Sequence, residues 1–189
     1  MKTRAITLSL ATALTVGLIV AAPVAAADSE GQATFYTDFV ADFERAGERL
    51  VLLAEAMPAE TFSWSPAEGV RTVSEVFMHV AGVNMMLPTG LGAAPPEGME
   101  QPENPMTLLQ DLEGNVTAKD QVIDKLQDSI DYAAAAVPSI TDLETEVDLF
   151  GFPGTKRAYL FILLTHTHEH LGQAIAYARS NGVVPPWSQ

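Results

Sequence analysis

Residues Tyr159 to Leu164 are apolar on every side of the helix they would form, and the chain runs directly from them into Thr165-His166-Thr167-His168-Glu169-His170-Leu171-Gly172-Gln173. A helix without a polar face is expected on the inside of a helical bundle. Three of the four histidines are therefore placed on what should be the innermost element. At about 100° per residue, His166 and His170 share one helix face, one turn apart, and His168 points away from both. Two imidazoles at this spacing can hold one metal ion between them. A pair alone is more often a surface feature, so a third ligand is needed. The remaining histidine, His79, lies in Val73-Ser74-Glu75-Val76-Phe77-Met78-His79-Val80-Ala81, a second apolar helical stretch. A polar ring is costly to bury there without a partner. The bland account is a core histidine satisfied by one hydrogen bond. The sharper one joins it to the other helix as a three-imidazole site with open coordination positions.

The rest of the chain supplies the helices such a site needs. From about Gly31 to Ala56, Phe35, Phe39, Phe43, Ala46, Leu50, Leu53 and Met57 recur at steps of three and four, one apolar stripe that Pro58 ends. A turn-rich loop follows, and Thr72-Val73-Ser74-Glu75 has the pattern of a capping box. The second helix is expected from Val73 to about Met86, stopping before Pro88. Residues 87–116 are rich in Pro and Gly, with room for a short helical turn near Met106 to Leu112. A connection this long permits a crossover or a lid. The third helix is expected from about Ala118 to Ala136, capped by Thr117, on a stripe of Val122, Leu126, Ile130 and Ala133. After a connection with an extended piece from Thr145 to Phe150, the fourth runs from Lys156 to about Asn181, capped by Thr155 and stopped by Gly182.

Met1 to Ala27 has the parts of a secretory signal peptide: basic Lys2 and Arg4, an apolar run from Ile6 to Ala22, and small residues at Ala25-Ala26-Ala27. The run is short for a retained membrane anchor. The expected organisation is a signal peptide over 1–27 and one domain over 28–189, exported to the periplasm or outside the cell. Removing 1–27 leaves 8 basic against 24 acidic residues, a net charge of −16. That excludes a nucleic-acid footprint, and it opposes docking on anionic lipid once the signal is cleaved. There are no cysteines. Thiolate ligands, disulfides and a cysteine nucleophile are all excluded, so a transition metal must be held by His, Asp or Glu.

Several of these residues together resemble a known family. Trp64-Ser65-Pro66, then Arg71-Thr72-Val73-Ser74-Glu75-Val76 and His79, then His166-x-x-x-His170-x-Gly172-Gln173, and finally the run Tyr177 to Pro186 are similar to the DinB-like (DinB/YfiT-type) metalloproteins. The resemblance spans roughly residues 34–188. It implies an all-α fold, a four-helix bundle in up-down-down-up order with a long connection between helices two and three. It also implies a divalent metal, often zinc or nickel, on one histidine of the second helix and two of the fourth. These fall on His79, His166 and His170, while His168 matches no ligand. Some relatives are thiol-dependent transferases or isomerases. An export signal departs from those cytoplasmic members.

Other side chains have two readings each. Glu75 is first a capping residue and second a carboxylate behind the metal or a general base. Gln173 can orient a water or simply pack. Asn84 and Tyr177 can line a pocket. Glu169 reads as solvated or paired, and Met85-Met86 as packing. Three functions stay open: a metal-dependent hydrolase or transferase acting on a small molecule, a non-catalytic metal- or ligand-binding protein of the cell envelope, and a structural bundle with relic histidines. A homodimer is compatible with each.

Overall fold

The computed structural model describes residues 24–99 and 104–188, with side chains of the first helix from Glu30 onward. The expected signal peptide lies outside the described residues except for Val24 to Ala27, which form the start of the first helix. Seven elements follow in order: α1 Val24–Ala56, α2 Val73–Gly90, α3 Pro105–Asn115, α4 Lys119–Ala136, β1 Glu146–Leu149, β2 Phe152–Thr155 and α5 Lys156–Ser180. Helix α1 packs on α4 and α5, α2 packs on the same two, and α3 lies against α2. The stripe read along α1 is the stripe that is buried, with Phe43, Leu50, Leu53 and Met57 fully enclosed. Among the described residues no helix is long and apolar enough to cross a membrane.

The second helix starts as its cap predicts. Thr72 Oγ1 accepts from the Glu75 amide at 3.3 Å, and Glu75 Oε2 accepts from the Thr72 amide at 2.6 Å. Its end differs from expectation: α2 continues through Pro88 to Gly90. Proline removes one helical donor, but only in the last turn. There the Thr89 hydroxyl takes the Met85 carbonyl at 2.7 Å, the Leu91 amide reaches Leu87 O, and Leu87, Pro88 and Leu91 are buried. Packing outweighs the lost bond.

One further expectation is extended and two are corrected. The helical turn expected near Met106 to Leu112 is present and longer, the helix α3, begun by Asn104 Oδ1 accepting from the Met106 amide at 3.0 Å with Pro105 behind it. The cap of α4 is Ala118 rather than Thr117, without a side-chain bond. The fold is also not purely helical, because the extended piece pairs with residues 152–155 as an antiparallel hairpin. Its turn, Phe150-Gly151, takes positive φ at both residues, 63° and 79°, as a two-residue hairpin turn of the primed kind requires. The usual sequence signal is Asn-Gly, and phenylalanine hides it. The Tyr159 hydroxyl pins the turn to α5, accepting from the Leu149 amide at 3.1 Å and lying against the Leu149 and Phe152 carbonyls. A left-handed residue other than Gly, Asn or Asp costs about 1–2 kcal/mol. Phe150 is 46% exposed and so returns little by burial. We therefore expect Phe150→Asn to raise stability by about 1 kcal/mol, read as a higher urea midpoint; a lower midpoint would contradict the strain.

Helix α5 is less enclosed than its composition suggests. Phe161 and Ile162 are 51% and 50% exposed, and the most buried helix is α2. The reason is position: α5 packs mainly on α1 and α2, with the hairpin touching its first turn, so one side faces water. Phe161 is half-covered by the edge of Phe35 at 5.8 Å between ring centres.

Candidate metal centre

Thr155 Oγ1 accepts from the Ala158 amide at 3.2 Å and fixes the start of α5. From there the helical register aims His166 and His170 toward α2 and His168 toward α1. His168 Nε2 meets Asp42 Oδ2 at 3.0 Å on the outer surface, as expected from its spacing. His79, from the middle of α2, faces the other two. The three ring centres are 5.0, 4.8 and 4.4 Å apart, and one nitrogen from each ring lies within 4.8 Å of the others. His79 Nε2 and His166 Nε2 approach to 3.1 Å. Two nitrogens bound to one zinc at its usual imidazole distance of ~2.0–2.1 Å are about 3–3.4 Å apart, so this pair needs little movement. The three side chains fit a divalent cation, and three histidines close together could hold one.

Burial acts on these rings. It pulls His79 below the ordinary histidine value, against the hydrogen bond His79 makes to the Glu113 carboxylate, with Arg71 and His170 adding to the pull. Burial also pulls His166 down, to about 3, helped by His170, His79 and Arg71. Both rings are thus held in the neutral form a metal requires. The consequence for the metal-free protein has a definite sign. Unfolded, each ring binds a proton near 6.5; folded, it binds one only at lower pH. Stability is complete above about pH 6.5 and falls as the pH drops toward 3. Urea midpoints of the metal-free protein between about pH 7 and 5 should decline, and His166→Asn should flatten that decline. An unchanged slope in the variant would contradict it.

Two residues behind the histidines were not assigned from sequence. Glu113 of α3 places Oε1 2.8 Å from His79 Nδ1, and Arg71 Nε donates to the same oxygen at 3.2 Å. α3 comes close to α2 at Gly82, where a Cβ would lie 2.4 Å from the tip of the Leu109 side chain and 3.5 Å from Leu109 Cα. Gly82 is one turn beyond His79 and Leu109 is one turn before Glu113, so this contact seats the carboxylate against the ring. The available signal was the Asn104-Pro105 helix start with Leu109 and Leu112 spaced behind it. Gln173 is at the site: its Oε1 lies 2.7 Å from His170 Nδ1, and its Nε2 donates to Tyr177 Oη at 3.1 Å. Glu75 is engaged in the cap of α2. Asn84 is buried against α4, with Nδ2 donating to Ser129 Oγ at 3.2 Å. Glu169 is exposed, and Met85 is packed in the interior.

The sequence pattern of the DinB superfamily matches residues 42–174, which include all three histidines. The chain belongs to the DinB superfamily. Solved structures that share its fold include two DinB-like proteins. A DinB-like protein from Bacillus cereus ATCC 10987 is 22% identical with a TM-score of 0.63, over 78% of this chain and 93% of its own. A DinB-like protein from Bacillus subtilis, YjoA, is 21% identical with a TM-score of 0.59, over 78% and 94%. At these identities the likeness is one of fold. No curated protein matches the chain. For a DinB superfamily member, the elements brought together are one histidine from α2 and two from α5, with Glu113 and Gln173 behind them.

Proposed function

We propose that this DinB superfamily protein is exported, binds zinc or nickel through His79, His166 and His170, and acts on a small molecule as a hydrolase or group transferase. The observation that supports it is the convergence of three imidazole nitrogens within 4.8 Å of one another. A divalent cation on three neutral ligands keeps its positive charge and supplies Lewis-acid chemistry, polarising a substrate oxygen or activating water. The chain's own part is to hold His79 and His166 neutral by burial and to orient His79 and His170 through Glu113 and Gln173. A cavity of about 290 Å³ lined by Met85, Met86, Met99, Leu108 and Phe150, with none of the three histidines in its wall, is of a size and polarity for a small molecule's apolar body. Met86 is two turns beyond His79 on the same side of α2. A larger cleft at Asp142 and Arg157 lies by the start of α5, away from the histidines.

The same reading takes the bundle as up-down-down-up. Lys119 at the start of α4 donates to Glu55 and Met57 O at the end of α1, Asn84 and Thr89 meet Ser129 and Tyr132 in the same order along α2 and α4, and His168 meets Asp42 as Phe161 meets Phe35. Export rests on the basic, apolar and small-residue parts of 1–27. The half-exposed Phe161 and Ile162 offer a homodimer a surface, which sedimentation would reveal.

A second reading is a non-catalytic metal-binding protein of the envelope, favoured by the depth of His170, only 9% exposed. The deciding experiment loads purified protein with zinc or nickel and screens small esters, amides and thiol-acceptor pairs. Turnover that disappears on chelation supports the enzyme. Stable metal binding with no turnover on any of them supports the binder.

A further inference from the structure

We propose that Glu113 and Gln173 are positioning residues that fix His79 and His170 in the one tautomer able to present Nε2 inward, and that Arg71 and Tyr177 join them into a single hydrogen-bonded circuit. The argument follows protons. Tyr177 has one hydroxyl proton, and its Oη lies 3.1 Å from the Arg71 carbonyl, which can only accept. The proton is therefore donated there. Gln173 must then donate its Nε2–H to Tyr177 Oη, at 3.1 Å. That choice turns the amide oxygen toward His170 Nδ1 at 2.7 Å, so Nδ1 must be the donor. With its proton on Nδ1, neutral His170 has its lone pair on Nε2.

The other arm runs the same way. Glu113 Oε1 accepts from Arg71 Nε at 3.2 Å and faces His79 Nδ1 at 2.8 Å, so His79 also donates from Nδ1 and keeps its lone pair on Nε2. Arg71 closes the circuit, its side chain holding Glu113 and its carbonyl holding Tyr177. The chain His79, Glu113, Arg71, Tyr177, Gln173, His170 thus links α2, α3, the loop before α2, and α5. His166 stands outside it. Its Nδ1 is buried with no partner among the described residues, and its Nε2 faces the lone pair of His79 at 3.1 Å. Two ligands are oriented from behind; the third has no such brace, and in the metal-free chain its Nε2–H donates to His79 Nε2.

The metal consequence rests on the three histidines being a metal site; the tautomer assignment does not. Two measurements on the full chain keep them apart. Nitrogen-15 NMR of the metal-free protein reads which ring nitrogen carries the proton, and titration with zinc alone reads affinity. In the wild type, His79 and His170 should both carry Nδ1–H. Glu113→Ala should mix the tautomers at His79 only, and weaken zinc about 10–100-fold. Glu113→Gln, which still offers an acceptor and is the gentler change, should retain Nδ1–H at His79 and lose less affinity. Tyr177→Phe frees the Gln173 amide to turn over, and should mix the tautomers at His170 while leaving His79 unchanged. Unaltered tautomers in Glu113→Ala and Tyr177→Phe would overturn the proposal, as would weaker zinc binding without a tautomer change. If the wild type takes up no zinc, the proposed function fails, and the NMR result still decides the circuit.

Discussion

Removing the metal with a chelator should lower the melting temperature of this protein by about 8–16 °C. A ligand that binds only the folded chain stabilises it by about 4.1 kcal/mol when present at ~1,000 times its dissociation constant. For a domain of this size each kcal/mol is worth about 2–4 °C. The folded chain qualifies because the ligands come from α2 and α5 and meet only when those helices pack. His170 is nearly enclosed, and its ring is braced by Gln173. His170→Ala should therefore melt close to the chelated wild type and respond little to zinc. His168→Ala should keep the full response, since that ring faces Asp42 at the surface. A wild type that melts at one temperature with and without chelator would leave the histidines as relics in a structural bundle.

The second large effect lies in the core. Phe43→Ala should destabilise the protein by about 3–5 kcal/mol, the usual range for deleting a fully buried aromatic ring. Phe43 is inaccessible to solvent and stacks on Phe39 with ring centres 5.9 Å apart and planes 14° apart. It lies on the α1 stripe that meets α4 and α5, so its loss leaves a cavity inside the bundle rather than a dent in its surface. Phe161→Ala provides the contrast: that ring is half exposed, and its removal should cost about 1 kcal/mol or less. Urea denaturation of both variants gives the comparison. A cost below about 1 kcal/mol for Phe43→Ala would mean that α1 is not packed as described.

The sequence made the helices legible where period and punctuation agreed. The stripe from Phe35 to Met57, the Thr72–Glu75 box and the Thr155 start each carry their own local cause, and each is found in the structure. What was hidden depends on partners far along the chain. Pro88 reads as a stop until the burial of Leu87 and Leu91 is known. The hairpin escaped notice because Phe150 occupies a position where Asn or Gly is the usual signal. The apolar run from Tyr159 to Leu164 overstated the enclosure of α5, since composition does not say how many neighbours a helix will have. At the site, helical spacing separated His166 and His170 from His168. Glu113 was invisible because its role is set by the packing of α3 on α2, where Leu109 lies against Gly82, residues in different helices with no shared local pattern.

The central claim is that three imidazoles from two helices surround one cation. X-ray absorption at the zinc edge of the loaded protein tests it most directly. The account predicts three imidazole nitrogens at about 2.0–2.1 Å and the loss of one of them in His79→Ala. A shell of oxygen atoms alone, or a His79→Ala spectrum identical to that of the wild type, would contradict it.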